Sequence, residues 1–291
     1  MDSTVPYLRT QAELLAEIKI LVRDTSATRW SNVEYYNALN GVLQTWHANV
    51  RYPHIYTITD GWQAGTFGYT LPVYVRPPLH PQLLRRVPFD EYAIESTTST
   101  WQDVPGWEVE PDGTGTLVLR LHASPRTVEG RVIFYAPNGR VPTTIPTSSG
   151  STSDTATSLL IGTAIDVDEV GYIKVNAEYM MYAGVTRGSA TTTLLNLVRA
   201  QNGSTAATHN SASNVTWCVA MDDLRLHRLL MDQWRSFLHE YFIQDGGVHE
   251  RSVHEKAMGY HAQLAATFWP TYKPIRKSAG LTLSRKQFIL R

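Results

Sequence analysis

The chain has 291 residues, with 26 Lys+Arg against 26 Asp+Glu, 18% charged and 43% hydrophobic residues, and a single cysteine. Charged residues fall below the usual share of about 25%, which excludes disorder across the whole chain and a global basic field for nucleic acid. The lone Cys218 excludes a disulfide framework and a cysteine-based zinc site.

Met1-Asp2-Ser3-Thr4-Val5-Pro6 lacks the basic and apolar regions of a signal peptide, and no run of about 18 apolar residues reads as a membrane span. The expectation is a soluble protein made in a reducing compartment.

Two capped helices open the chain. Thr10-Gln11-Ala12-Glu13 is a capping box, in which the Thr hydroxyl accepts from the third helical N–H while the Glu reaches back. Leu14, Ile18 and Leu21 follow on one stripe, with Leu15 and Val22 beside them, and Asp24-Thr25-Ser26 ends the helix. Ser31-Asn32-Val33-Glu34 is a second capping box, with Trp30 and Tyr35 placed as a hydrophobic staple. Tyr36, Leu39, Leu43 and Trp46 then share one helical face.

From about His54 to Tyr135 the period changes to two. Ile55–Ile58, Leu71–Val75, Trp107–Glu110, Leu117–Leu121 and Arg131–Tyr135 read as short strands between turn signals such as Asp60-Gly61, Pro111-Asp112-Gly113 and Pro137-Asn138-Gly139. Residues 147–158 are Ser/Thr-rich and read as a low-complexity linker with nothing to bury. Strand-like runs resume at Leu159–Ile161, Gly171–Val175, Tyr179–Ala183, Leu194–Val198 and Val215–Val219, and read as an independent insert ending near Ala220.

Helical periodicity then returns. Asp222 is placed to cap a helix whose buried face carries Leu226, Leu230, Trp234, Phe237 and Tyr241, and Asp245-Gly246-Gly247 breaks it. A fourth helix sets Val253, Ala257, Tyr260, Leu264 and Phe268 on one side and stops before Pro270. The plan predicts an α+β chain: an α-helical bundle of two N-terminal and two C-terminal helices, two inserted antiparallel β blocks, and an extended C-terminal arm. Its expected segments are 1–53, 54–146, 147–220, 221–269 and 270–291.

The motifs of common chemistry are missing. There is no P-loop, no Gly-x-Gly-x-x-Gly and no Gly-x-Ser-x-Gly elbow, and Cys218 lies in an apolar strand pattern. His249-Glu250 and His254 resemble a zincin motif, but the histidines stand five apart instead of four, which turns one well off the other around a helix. Asp166-Val167-Asp168-Glu169 lacks the glycine and distal Glu of a calcium loop and reads as a solvated turn. Trp62, Trp101 and Trp107 are of a type that stacks on sugars, though such residues more often fill β cores or interfaces. The expectation is a protein that is not an enzyme and needs no cofactor or metal.

The end of the chain carries a different signal. Lys256, Lys273, Arg276, Lys277, Arg285, Lys286 and Arg291 are seven basic residues with no Asp or Glu after Glu255. Tyr272, Leu281, Leu283, Phe288, Ile289 and Leu290 are interleaved with them. Apolar groups are costly to leave in water, so the pattern reads as an arm that orders by docking into a partner. Residues 1–255 hold 19 basic against 26 acidic residues, a net −7, so the formal neutrality is a cancellation between an acidic body and a basic arm.

Residues Leu21–Asn40, with Asp24-Thr25, Arg29-Trp30-Ser31 and Glu34 at their turn, resemble the N-terminal region of tailed-bacteriophage head-to-tail adaptor (connector) proteins. The pattern there is of the form D-T-x-x-x-R-W-S-D-x-E; this chain has Asn32 where an Asp is usual. Residues Gly171–Val175, Tyr179–Val185 and Val198–His209 are similar to a small β module of phage structural proteins, of the form G-x-I-x-I-x-x-E-x-x-x-Y-x-G-V … R-G-x-x-G-T-x-A-x-x-H. Here Ala200 replaces the common Gly, and Ser204 precedes the Thr.

What the resemblance implies is a structural virion protein, assembled in the host cytoplasm and located at the neck between capsid and tail. It would form a cyclic homo-oligomer, commonly of twelve subunits, that joins the portal protein to a tail tube or nozzle protein and lines the DNA exit channel. Non-specific contact with genomic DNA in that channel is implied, and contact with membrane is not. The implied portal-docking arm is Tyr272, Lys273, Arg276, Lys277, Leu281, Leu283, Arg285, Lys286, Phe288, Ile289 and Leu290. The alternative reading is another tail or baseplate protein with a glycan-binding β module.

Overall fold

A computed structural model describes residues 7–26, 29–47, 50–75, 79–86, 99–104, 106–114, 116–122, 127–221, 224–245 and 248–268. In chain order the elements are β1 (Tyr7–Thr10), α1 (Gln11–Leu21), α2 (Asn32–Trp46), β2 (Tyr52–Trp62), β3 (Gly68–Thr70), β4 (Leu79–Arg86), β5 (Ser99–Asp103), β6 (Trp107–Pro111), β7 (Leu117–Leu121) and β8 (Val128–Ala136). They continue with β9 (Leu159–Ile161), β10 (Val170–Val175), β11 (Glu178–Ala183), β12 (Val185–Arg187), β13 (Thr192–Leu194), β14 (Val198–Gln201), β15 (Val215–Met221), α3 (Leu224–Asp245) and α4 (Val248–Phe268).

The chain is mainly β, which corrects the expectation of a helical bundle with inserted β blocks. Among the described residues strand outweighs helix, 36% against 28%, and the strands build four antiparallel sheets. The sequence pattern hides β4, whose run LHPQLLRR contains a proline, and β5, whose run STWQD has a single apolar residue, while β3 and β12 are only three residues long, too short to show a period of two. The four-residue strand β1 is set by its distant partner, Met221 to Cys218, which local pattern does not show.

Two compact units divide the chain: Met1–Val50 with Cys218–Arg291, and Arg51–Trp217. In the first, both capping boxes form. The Thr10 hydroxyl accepts from the Glu13 N–H at 3.2 Å while the Glu13 carboxylate accepts from the Thr10 N–H at 3.0 Å. Thr10 also ends β1, which runs antiparallel to the last four residues of β15, from Tyr7↔Met221 to Thr10↔Cys218. Leu14 and Ile18 of α1, Tyr36, Leu39, Leu43 and Trp46 of α2, and Leu226, Leu230, Trp234 and Leu238 of α3 are buried. Trp234 donates through Nε1 to the Tyr35 carbonyl at 2.8 Å, and Trp46 donates to Gln233, so α3 is fixed to α2 by polar as well as apolar contacts.

The fourth helix departs from expectation. Its stripe of Val253, Ala257, Tyr260 and Leu264 does not form a buried face: Val253 is 55% and Tyr260 60% exposed. Among the described side chains of α4 only His261 is buried. Asp222, the expected cap of α3, and residues 270–291, the expected arm, lie outside the described residues.

In the second unit, β2, β8, β4 and β5 form one sheet and β3, β7 and β6 another. Trp62, Leu71, Val75, Leu119, Val132 and Phe134 make their common core, and Val170 and Ala183 from β10 and β11 belong to the same cluster. The two stretches expected as separate blocks therefore share a core. Tyr172 Oη donates to the Pro53 carbonyl at 3.2 Å, and Asn196 Nδ2 donates to Tyr74 Oη at 2.9 Å, so polar contacts tie them as well. Gly130 lets the Trp62 ring lie against β8: a Cβ there would stand 2.6 Å from Trp62 Nε1.

His54 carries an unusual load in this core. It is 1% exposed, its ring is stacked on Phe134 with centroids 5.6 Å apart and tilted against Tyr172 at 5.2 Å, and among the described residues neither ring nitrogen has a hydrogen-bond partner. Burial pushes its pKa down to about 3. An unfolded imidazole takes its proton near 6.5, so between about 6.5 and 3 the unfolded chain binds more protons than the folded one. The contribution is present in full above pH 6.5 and is lost as pH falls through that window, at about 1.4 kcal/mol per pH unit. Calorimetry between pH 7 and pH 4 should show His54→Leu losing less stability on acidification than wild type; parallel pH profiles would refute this.

Candidate functional sites

The adaptor-like turn folds around one carboxylate. Asp24 is 2% exposed and follows α1 directly. Its backbone N–H donates to the Lys19 carbonyl at 2.9 Å and the Arg23 N–H donates to Ile20 at 3.1 Å, with Arg23 in the left-handed region at φ 58°. This is a Schellman ending, and it turns the Asp24 side chain toward the approach to α2. There the carboxylate accepts from the Arg29 N–H at 3.2 Å, the Trp30 N–H at 3.3 Å and Tyr35 Oη at 3.0 Å. Burial, and then this bond to Asp24, raise the Tyr35 phenol well above its ordinary value.

The other residues of the pattern have equally local roles. Trp30 is buried and meets the Tyr35 ring edge-on at 5.7 Å. Ser31 caps α2, its N–H donating to the Glu34 carboxylate at 2.6 Å while its hydroxyl accepts from the Glu34 N–H at 3.3 Å. Asn32, standing where the pattern usually has Asp, accepts from Lys19 Nζ at 2.7 Å. Thr25 and Arg29 have exposed side chains, so of the six marked residues Asp24, Trp30, Ser31 and Glu34 close the turn. The arm residues Tyr272, Lys273, Arg276, Lys277, Leu281, Leu283, Arg285, Lys286, Phe288, Ile289 and Leu290 lie outside the described residues.

A second cluster was not singled out in the sequence. Glu178 opens β11 after the two-residue turn that follows β10, where Asn176 adopts φ 54°. It is 1% exposed. One carboxylate oxygen accepts from Arg199 Nε at 2.7 Å and the Ala200 N–H at 3.1 Å. The other accepts from Arg199 Nη2 at 2.7 Å, the Ala207 N–H at 3.0 Å and His209 Nε2 at 2.8 Å. With Nε2 as the donor, His209 Nδ1 can accept from Asn176 Nδ2 at 3.3 Å, so both ring nitrogens are used.

Burial alone would raise the Glu178 pKa, but the bonds from Arg199, Ala207, His209 and Ala200 outweigh it and hold the carboxyl down at about 2. Five donors converge on this carboxylate, which leaves it poorly disposed to accept a proton from a substrate. The chemistry available is therefore cohesion. Glu178, Arg199 and His209 stand at the acid, arginine and histidine of the second phage-like pattern. The signal that could have found Glu178 is an acid flanked by apolar strand residues. Ala200 adopts φ 57°, which accounts for glycine at this place in the pattern, and its N–H is thereby aimed at Glu178.

The same cluster recruits residues expected to form a linker. Arg199 Nη1 donates to the Ser153 carbonyl at 2.6 Å, and Thr152 and His209 exchange backbone hydrogen bonds at 2.8 Å. Ser148 and Thr152 are buried, and Ser148 pairs with Ile161. Low side-chain complexity did not prevent burial here because the backbone makes the bonds.

The remaining sequence candidates separate. Asp166 and Asp168 bind Arg140, with Nη1 and Nε contacts of 2.9 and 3.2 Å, and Glu169 binds Arg187 at 2.6 Å. Trp62 is fully buried and donates to the Gln82 carbonyl at 2.8 Å, which removes it from any sugar-stacking surface. Trp107 is half-buried against the same core, and Cys218 is buried in β15. His254 faces His239 across α3 and α4, with Nδ1 atoms 2.7 Å apart. Among the described residues no group of three or more His, Cys, Asp or Glu side chains is arranged to hold a metal ion, and no helix is long and apolar enough to cross a membrane. No family model, curated protein or solved structure matches the chain.

Two substitutions test these assignments. Asp24→Ala strands the Trp30 N–H and the Tyr35 hydroxyl and should cost about 2–4 kcal/mol in urea denaturation; a loss below about 1 kcal/mol would remove Asp24 from its organising place. Glu178→Gln leaves the Arg199 guanidinium buried without its counter-charge, at a cost of about 3–5 kcal/mol at pH 7. Because the folded pKa is depressed, this stability is present above the ordinary carboxylate value of 4.5 and is lost as pH falls toward 2. The gap between wild type and Glu178→Gln should therefore narrow below pH 4.5, and a gap that stays constant would contradict the assignment.

Proposed function

We propose that the chain is a non-enzymatic structural protein of a tailed-bacteriophage virion: a head-to-tail adaptor that forms a ring, of about twelve copies, between the portal protein and a tail tube or nozzle protein at the neck. The observation that carries this reading is the correspondence between the adaptor-like pattern and one folded turn. Asp24, Trp30, Ser31 and Glu34 spell the pattern, and the same four hold α1 to the start of α2. The second likeness has the same property, since its acid, arginine and histidine meet at Glu178.

In this reading the work is assembly. The helical unit and the β unit present surfaces to neighbouring copies and to the tail, while residues 270–291 dock on the portal through alternating cations and apolar side chains. Such a segment loses conformational entropy on ordering and recovers it only against a preformed groove, so attachment follows portal assembly. The net −7 of residues 1–255 suits a wall that repels passing DNA, leaving only non-specific contact in the channel.

Native mass spectrometry of the chain alone and mixed with assembled portal tests the proposal. Full-length protein should join the portal as a closed ring, and a chain truncated after Pro270 should fold but fail to join. A protein that never enters a cyclic assembly, and binds cell-wall glycan instead, would overturn the adaptor reading; docking unchanged by the truncation would overturn the arm.

A further inference from the structure

Helices α3 and α4 meet through histidines. His239 of α3 and His254 of α4 approach with Nδ1 atoms 2.7 Å apart, a hydrogen bond that needs one nitrogen to donate and the other to accept. His261 of α4, the one buried residue among that helix's described side chains, lies parallel to His239, the planes differing by 4° and the centroids 6.2 Å apart. Its Nδ1 stands 3.3 Å from Asp232 Oδ1 on α3. Ser236 Oγ also donates across to the Met258 carbonyl at 3.3 Å.

Apolar groups share this contact: Ala257, Met258, Leu264 and Phe268 of α4 are half-buried on the same side as His254 and His261. Val253 and Tyr260 of α4 face solvent, whereas Leu226, Leu230, Trp234 and Leu238 of α3 are buried. Helix α3 is tied to α2 through Trp234, while α4 meets α3 on a seam whose buried α4 side chain, among the described residues, is His261.

We infer that the α3–α4 seam is an acid-sensitive latch: it holds while its imidazoles are neutral, and proton uptake detaches α4 while α1, α2 and α3 stay packed. The groups facing His239 explain the direction. From α4 these are His254 and His261; from α3, Arg235 and Asp232; and from the turn before α2, Arg29. A second protonated imidazole would turn the His239–His254 bond into a donor–donor clash, with Arg235 and Arg29 adding to the repulsion and Asp232 opposing it at His261. Burial, then His254, His261, Arg235 and Arg29, push the His239 pKa down to about 4. Burial and Arg235 lower that of His261 against the opposing pull of Asp232. A base with a depressed folded pKa contributes stability in full above about 6.5 and loses it as pH falls toward 4. The latch therefore opens through mildly acidic pH.

Hydrogen exchange of the full chain, followed by mass spectrometry at pH 7.5 and pH 5 and corrected for intrinsic exchange, reads this directly. Protection in 250–268 should fall roughly tenfold per pH unit for each proton taken up, while peptides from α1, α2 and α3 keep theirs. In His239→Gln/His254→Gln the selective fall should be largely removed, because glutamine keeps a hydrogen bond without titrating. Asp232→Asn, which removes the carboxylate beside His261, should shift the opening to higher pH and serves as the check if the double variant does not fold. A uniform loss across all four helices, an undiminished fall in the double variant, or an opening unmoved by Asp232→Asn would overturn the latch.

Discussion

The packing of the β unit turns on burying a negative charge. Glu178 lies at the start of a strand, with 1% of its surface in water, and a carboxylate in that position is tolerable only if each oxygen is met by donors. Supplying those donors dictates much of the surrounding chain. Arg199 must enter from β14, Ala200 must adopt a left-handed backbone to aim its N–H inward, and Ala207 and His209 must return along the opposite side. Arg199 in turn needs acceptors for its remaining N–H groups and takes them from the Ser153 and Ala207 carbonyls. One ionised group thus draws four separate stretches of sequence into a fixed arrangement, where apolar packing alone would leave their register free.

Asp24 repeats the device at smaller scale. A short acid placed just past a helix end gathers N–H groups from the next helix's approach, and the hydroxyl of Tyr35 completes its shell. The histidines work in the opposite sense. His54 and His239 are held neutral by burial, so they contribute shape and stacking while carrying a latent cost in acid. The fold is therefore built to operate with the Glu178 carboxylate charged and the His54 and His239 rings uncharged, a condition met near neutral pH.

What could be read in the residues alone follows the range of the interaction. Both capping boxes, the Trp30–Tyr35 staple and the buried faces of α2 and α3 were legible because each is decided within one or two helical turns. The mainly β character was not, since β4 and β5 lack a clean apolar–polar alternation, β3 and β12 are too short to carry one, and β1 is defined only by a partner near residue 220. The stripe on α4 misled for a related reason. Spacing shows that Val253 and Tyr260 share a side of the helix, and says nothing of whether a partner element meets that side. Around Glu178 the pattern residues were quoted, yet their convergence depends on contacts between residues 21 to 31 positions apart. Residues 147–158 were misread because backbone hydrogen bonding, unlike side-chain composition, leaves little trace in sequence.

The pairing of β1 with β15 also has a consequence for how the chain is made. Tyr7 waits for Met221, so the ladder that closes the helical unit cannot form until Met221 has left the ribosome. The unit spanning Arg51–Trp217 is synthesised entirely within that interval, with its strands complete before their flanks can join. Order of emergence thus gives the β unit a head start over the unit that encloses it in sequence. Until the late segment arrives, the apolar faces of α1 and α2 lack the α3 residues that cover them, and the nascent chain is most open to wrong association during that wait.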